Sequence, residues 1–563
     1  MARRREKKEK KIYFYKIVVT LMLLFLITLI LKIAPNYIRN DITDKINLVI
    51  NNSNITKNLK YEVYIEDDII YISTKDIANF FDGNIYYDNK YDQIITSSET
   101  KLATFKINDK KISVNGSQIN INAAAMKKDN QFYLPFSEID KSVYNVETKY
   151  IKSTNTVVIT SLDRELTYAN SSKNNNIKYK PTTLSRTVDK VEKGDNLILI
   201  KNEEEIPDGW TKVATENGRI GYVKTSTLVN IDKLRDNLTY TKQIEENISL
   251  IWDYFSVYAK APQRTGKIQG VNVVSPTFFS LKQSGKGEII ENVGTQGENY
   301  IEWAHSNGYK VWALVSNDSM KETTSEIIND YYFRQELIEN IISVVIKYNL
   351  DGINLDFENI YQADKDAYSR LVIELAPRLK ELGKVLSVDV TAPDGSADWS
   401  LCFDRNVIGK VADYIVFMAY DQHGTSSENA GTVAGYDWVE TNLKKFIERE
   451  EVNSRKIVLG IPFYTRIWTE TQESLDSKVI DMNKTYNAIP DSANIQWLED
   501  VKQNYAEYTQ SGKTYKVWIE DEKSIAEKLD LVSKYNLAGA AYWEKDRETE
   551  ETWKIISEKL EIK

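Results

Sequence analysis

The octapeptide Asp351-Gly352-Ile353-Asn354-Leu355-Asp356-Phe357-Glu358, DGINLDFE in one-letter code, decides how the chain is read. Apolar side chains at 353, 355 and 357 alternate with polar ones at 354, 356 and 358, the two-residue period of an extended strand. Asn354, Asp356 and Glu358 therefore share one face, spaced by about 7 Å. A rigid element that aims two carboxylates and an amide the same way is suited to hold an acid beside its helpers. A solvated strand edge shows the same alternation, so the reading turns on what the rest of the chain places beside it.

Eight strand candidates, at 250–255, 270–275, 311–316, 352–357, 386–391, 414–420, 456–462 and 539–543, run through residues 231–563. Helical patterns such as 367–382 (AYSRLVIELAPRLKEL) and 524–535 separate several of them. This alternation predicts a (β/α)8 TIM barrel, a fold whose active sites lie at the C-terminal ends of its strands. Those ends carry polar and aromatic motifs. The sixth closes on Met418-Ala419-Tyr420-Asp421, the seventh on Gly460-Ile461-Pro462-Phe463-Tyr464-Thr465-Arg466, and the eighth on Ala541-Tyr542-Trp543-Glu544. Ser275-Pro276-Thr277-Phe278 follows the second.

Together these motifs resemble glycoside hydrolase family 18, the chitinase-like TIM barrels, with the patterns D-G-x-D-x-D-x-E, M-x-Y-D and G-x-P-x-Y-G-R. The resemblance covers residues 250–563. Asn354 departs from it where most chitinases have a third Asp, and Thr465 replaces the usual glycine. The Asn354 form and the Ser-Pro-Thr-Phe motif are similar to the branch that includes spore cortex-lytic N-acetylglucosaminidases. The resemblance implies that Glu358 is the proton donor, that Asp356 steadies the acetamido group of the sugar, and that the Tyr420 hydroxyl bonds that group. It also implies substrate contacts from Asp351, Asn354, Met418, Asp421, Arg466 and Trp543, with Trp543 flooring the sugar and Asn354 hydrogen-bonded to Asp356.

Glycoside cleavage needs a carboxylic acid that stays protonated near neutral pH. A flanking carboxylate and partial burial both raise a carboxyl's pKa, and Glu358 with Asp356 one pleat away meets that need. By resemblance, the 2-acetamido oxygen of the substrate is the nucleophile, and an oxazolinium ion is the intermediate.

The chain begins with Arg3, Arg4, Arg5, Lys7, Lys8, Lys10 and Lys11, followed by the apolar stretch 17–31 (IVVTLMLLFLITLIL). Residues 1–11 read as a basic cytoplasmic leader and 12–34 as a transmembrane anchor, with Lys16 and Lys32 able to snorkel. A cleaved signal peptide has the same order, which would make the protein secreted. No small-x-small site follows Leu31, so the retained anchor in the cell membrane, with the catalytic domain outside, is the preferred reading.

After an expected linker at 35–60, residues 61–162 hold an internal duplication. Tyr71-Ile72-Ser73-Thr74-Lys75-Asp76-Ile77 is echoed by Tyr133-Leu134-Pro135-Phe136-Ser137-Glu138-Ile139, each within a strand–helix–strand–strand pattern. This α+β module resembles the N-terminal domain of copper amine oxidases; it contains no histidine, so no copper chemistry is expected. A polar linker is expected at 163–176 (ending in NSSKNNN). Closely spaced glycine turns at 177–230 then predict a small β-barrel that resembles a bacterial SH3 domain, with Trp210 and Tyr222 either its core or a stacking surface. A helical connector is expected at 233–246.

Composition narrows the partners. A net charge of −9, from 73 basic and 82 acidic residues, argues against nucleic acid. The single cysteine, Cys402, and two distant histidines, His305 and His423, argue against a structural metal, and no cofactor is expected. The expected partner is a cell-wall glycan, either peptidoglycan or a chitin-like polymer. A chitinase is one alternative. A non-catalytic, membrane-anchored glycan-binding scaffold is another, and loss of activity on changing Glu358 separates it from an enzyme.

Overall fold

The structure, a computed structural model, describes residues 2–33, 45–201, 205–234, 246–255 and 262–562. The chain divides into two compact units, Met1–Thr239 and Tyr240–Lys563.

In the second unit the octapeptide forms the fourth of eight parallel strands. They are β1 (Ile248–Asp253), β2 (Val273–Pro276), β3 (Lys310–Ser316), β4 (Gly352–Asp356), β5 (Val385–Val390), β6 (Tyr414–Met418), β7 (Ile457–Pro462) and β8 (Gly539–Trp543). Each pairs in parallel with the next in sequence, and β8 pairs with β1, so the barrel closes. A closed parallel barrel buries both faces of every strand, which is why the strands read as dense runs of Val, Ile and Leu.

The alternation in the octapeptide has its physical cause here. Ile353, Leu355 and Phe357 are fully buried in the layer between strands and helices. Asn354 and Asp356 point to the barrel interior, which is otherwise filled by Trp252, Trp312, Leu314, Tyr414 and Val416 among others. The expected helices at 367–382 and 524–535 are present as Lys365–Glu381 and Glu522–Lys534, the latter started by a capping box from Asp521 and Ser524.

Between β7 and β8 lies an element that the sequence reading above does not contain, a five-stranded antiparallel sheet. Its strands, in spatial order, are Leu475–Asp481, Tyr464–Glu470, Lys513–Ile519, Gln503–Gln510 and Asn494–Leu498. The signal was present in Ser511-Gly512, where both residues take positive φ (53° and 74°), as a two-residue hairpin turn requires. A buried chain of polar groups ties this insertion to the barrel. Thr432 donates to Gln503, whose Nε2 donates to Glu520 (2.9 Å), which also accepts from Lys528 Nζ (2.7 Å).

In the first unit, an apolar helix spans Ala2–Ile33. The duplication has a structural counterpart: strand Ile69–Ser73 and helix Thr74–Phe80 match strand Gln131–Pro135 and helix Phe136–Val143, and the two strands pair antiparallel. Two linker assignments are corrected. Within 35–60, Asn47–Ile50 pairs in parallel with Thr156–Ser161 and so belongs to the duplicated module, because Leu48 and Val49 have apolar surface to bury. Within 163–176, Leu166–Ser171 and Asn175–Lys178 are strands of a seven-stranded antiparallel sheet that continues to Leu234. Its core is Ile177, Val191, Leu197, Val213 and Val223. Trp210 and Tyr222 are half-buried outside that core, with Lys224 Nζ 4.3 Å from the Trp210 ring centre. The expected helical connector begins instead as strand Leu228–Leu234; the rest of it, apart from Glu246, lies outside the described residues.

The Glu520–Lys528 pair provides a stability test. Replacing Lys528 by Met leaves a fully buried carboxylate without its cation, expected to cost about 3–5 kcal/mol at pH 7. Burial already raises the Glu520 pKa, and loss of Lys528 raises it further. The variant's folded state therefore binds a proton that the unfolded state releases, so the deficit should shrink as pH falls towards 5. Urea unfolding at the two pH values measures this.

Candidate active site

The cluster sits at the C-terminal end of β4. Glu358 lies two residues past the strand's last residue, and its backbone is clamped by one side chain. Asn317, 1% exposed just beyond β3, accepts from the Glu358 N–H (2.9 Å) and donates to the Glu358 carbonyl (2.8 Å). Two cavities, of about 480 and 720 Å³, adjoin Glu358. Asp356 and Trp543 line the first; Met418, Tyr420, Arg466 and Trp399 line the second. Glu358 thus stands between two spaces, each edged by aromatic side chains.

Burial controls the electrostatics. It pushes the Glu358 carboxyl up to about 7, with the nearby Asp421 charge adding to the effect. The Asp356 carboxyl is raised well above the usual range by burial first, then by Glu358, Asp389 and Asp318. Its Oδ1 is buried and has no hydrogen-bond partner among the described residues. Burial likewise raises the Tyr420 phenol far above its ordinary value, so it is an O–H donor at neutral pH.

Asn354 lies one layer deeper, fully buried, and all its hydrogen-bonding positions are filled. Its Oδ1 accepts from Trp252 Nε1 (2.7 Å) and Ser275 Oγ (3.2 Å), while its Nδ2 donates to Ser387 Oγ (3.1 Å) and Asp389 Oδ1 (2.6 Å). The expected bond from Asn354 to Asp356 is therefore corrected: the amide faces β5 and is spent on Asp389.

The remaining expected residues divide. Asp421, at φ 57°, accepts from the Tyr464 hydroxyl (2.9 Å) and lies 4.0 Å from Arg466 Nη2. Arg466 donates to Ser477 (3.2 Å), and its buried Nε has no partner among the described residues. Trp543 ends β8 edge-on to Trp252, with ring centres 5.8 Å apart. Asp351 does not join them. It begins β4 at the opposite end of the barrel, where it accepts from the Val311 N–H (3.0 Å) and lies near His305 and Lys310, so its part is in the fold. Thr465 also turns away, donating to the Trp518 carbonyl within the insertion.

Comparison with known proteins places this geometry. The family model for glycosyl hydrolases family 18 matches residues 250–548. The chain belongs to that family. This glycosyl hydrolase also matches the copper amine oxidase N-terminal domain at residues 49–159. It is 26% identical to the uncharacterized glycosylase YvbX of Bacillus subtilis (strain 168) over 307 residues, 51% of this chain and 84% of that protein. It is 23% identical to the cortical fragment-lytic enzyme of the same organism over 293 residues, 50% of this chain and 67% of that protein. Among solved structures, the C-terminal domain of a protein named as a chitinase from Desulfitobacterium hafniense DCB-2 is similar at TM-score 0.50 and 23% identity. The match covers 56% of this chain and 100% of that one, a likeness that shows the fold.

Residues of the glycosyl hydrolase's site that the sequence did not single out include Asp389 and Asn317. Asp389 had a legible signal, since Ser387 and Asp389 alternate with Leu386, Val388 and Val390 in a strand that was foreseen, and only inward positions tolerate such polarity. Asn317 had none, because its task is set by a backbone that approaches only in the folded barrel. Replacing Asn317 by Ala strands both polar groups of the Glu358 backbone and is expected to destabilise the fold by about 1–3 kcal/mol, measured by urea unfolding.

Proposed function

We propose that this family 18 glycosidase is a membrane-anchored N-acetylglucosaminidase that cleaves peptidoglycan outside the cytoplasm, by substrate-assisted retaining catalysis. The observation that carries the reading is Glu358, a carboxyl half-protonated near pH 7, placed between two aromatic-edged cavities with Asp356 and Tyr420 beside it. An acid in that position serves a bond whose two sugars lie on either side.

Glu358 gives its proton to the glycosidic oxygen as the bond to the anomeric carbon breaks. The acetamido oxygen of the same sugar attacks that carbon from the other face and forms an oxazolinium ion. Asp356, as carboxylate, takes the acetamido N–H and offsets the positive charge, while the Tyr420 hydroxyl holds the acetamido oxygen in line. Glu358, now ionised, removes a proton from water, which opens the ion with net retention. Trp543 floors the reacting sugar; Met418, Asp421 and Arg466 border the second cavity or its rim. Asn354 acts from below, by orienting what Asp356 faces.

The substrate reading draws on the relative named as a cortical fragment-lytic enzyme. Anchoring draws on the helix segment Lys7–Ile30, long and apolar enough to cross a membrane (mean hydropathy 2.2). The basic leader would remain in the cytoplasm; a cleaved signal sequence is the competing outcome, and the N-terminal sequence of the mature protein separates the two.

The test is digestion of purified peptidoglycan, with and without muramic lactam, and of chitin oligosaccharides by the full chain in detergent, followed by mass analysis of the new ends. New reducing N-acetylglucosamine ends are expected from peptidoglycan. Glu358→Gln should lower their release by about 10²–10⁴-fold while glycan binding persists. Cleavage of chitin alone would make it a chitinase, and binding without cleavage would make it a scaffold.

Activity should fall as pH rises through about 7, where Glu358 loses its proton. Asp421→Asn removes a negative charge that favours the protonated acid, so this alkaline limb should move to lower pH in a kcat/KM profile.

A further inference from the structure

The mechanism leaves a buried carboxyl beside Asp356 without a task. Asp389 on β5 is 1% exposed and belongs to none of the motifs at the other strand ends. The register between β4 and β5 pairs Asn354 with Ser387 and Leu355 with Val388, which brings Asp356 and Asp389 level on neighbouring strands. Both face the barrel interior, since Asn354 on the same face as Asp356 bonds Ser387 and Asp389. Adjacent strands lie about 4.8 Å apart, so the two carboxyls are close neighbours. Two carboxyls so placed, Asp389 enclosed and Asp356 with its Oδ1 buried, do not both ionise.

The reading of Asp356 as the carboxylate that serves the acetamido group puts the shared proton on Asp389, and the free oxygens say which bond can join the pair. Asp389 Oδ1 is taken by the Asn354 amide, which leaves Oδ2 to carry a proton. Asp356 Oδ1 is buried and lacks a donor among the described residues. We infer that Asp389 is a positioning residue that stays protonated at working pH and donates its O–H to Oδ1 of Asp356, holding Asp356 ionised for the acetamido group. The pair keeps one proton and one negative charge throughout turnover, so nothing is transferred to the substrate. The inference rests on the reading of Asp356 given above.

It also accounts for asparagine at 354. That residue must accept from Trp252 and Ser275 and at the same time donate to Ser387 and Asp389. A carboxylate there has no N–H to give and would add a further negative charge to the cluster. Asn354 and Asp389 are thus two halves of one device. The titratable groups facing Asp389 are Asp356 and Glu358 from the end of β4, Tyr420 after β6, and Tyr368 from helix Lys365–Glu381. Burial keeps both phenols neutral, so the proton is contested among carboxyls alone.

Infrared spectroscopy of the full chain in detergent reads the proton without any substrate. At a pH about one unit above the Glu358 titration, Asp389→Asn should lose one protonated-carboxyl C=O band relative to wild type. If no band is lost, the proposal is overturned, whether or not the protein cleaves glycan. Band loss in a protein that cleaves nothing would instead sink the proposed function and leave the proton where it is placed here.

Kinetics supplies the second readout. Asn at 389 keeps an N–H donor for Asp356, so kcat should stay within about threefold of wild type and the acidic limb of its pH profile should not move. Asp389→Leu removes the donor. Its kcat should fall by at least about tenfold with KM within about twofold, and its acidic limb should move to higher pH because ionised Asp356 has lost a partner. An Asn variant as impaired as the Leu variant, or a Leu variant with an unmoved limb, would overturn the inference. If the Leu variant does not fold, the band and the activity of Asp389→Asn decide it alone.

Discussion

A single side-chain amide, fully satisfied in a dry barrel interior, sets the arrangement of everything above it. Asn354 holds groups from β1, β2 and β5 at once, through Trp252, Ser275, Ser387 and Asp389. A polar network at low dielectric is costly if any member goes unpaired, so a completely paired one fixes a unique geometry. The geometry propagates in two directions. Trp252, pinned by its indole N–H, presents its ring to Trp543 and thereby sets the floor of the first cavity. Asp389, pinned by its Oδ1, is held level with Asp356.

Above that amide the carboxyls are graded by depth. Asp389 is enclosed, Asp356 has one oxygen buried while the residue edges a cavity, and Glu358 borders both cavities. Environment alone assigns such groups different protonation states within a few ångströms. Glu358, the most accessible of the three, is also the one whose carboxyl is poised near 7, where it can give and take a proton within a single reaction cycle.

The barrel was legible in the sequence because its physics is periodic. Each strand is short, apolar and bounded, and the octapeptide's alternation translates into one face against helices and one face inward. What escaped was set by contacts between distant segments. Asn317 clamps a backbone 41 residues away, which no local pattern encodes. Asn354 was given the wrong partner because neighbours along a strand are easier to see than neighbours across a sheet, and the β4–β5 register was needed to find Asp389. Residues 47–50 and 166–176 were read as linker, although the first form a strand whose Leu48 joins a core already begun and the second hold strands of the seven-stranded sheet. The insertion escaped because its antiparallel strands, within 464–519, interrupt the alternation of strand and helix that marks the barrel.

That insertion brings a second source of side chains to the cleft. Arg466 reaches the second cavity from a strand of the inserted sheet, whereas Glu358, Asp356 and Tyr420 belong to the barrel. The two parts meet through Thr432, Gln503, Glu520 and Lys528, and again where Tyr464 donates to Asp421. The far hairpins lie beyond both contacts, so they can lengthen or shorten while Tyr464 and Arg466 keep their places beside Asp421. The cleft wall and the buried carboxyls thus answer to different segments of the chain, one an insertion and the other the barrel.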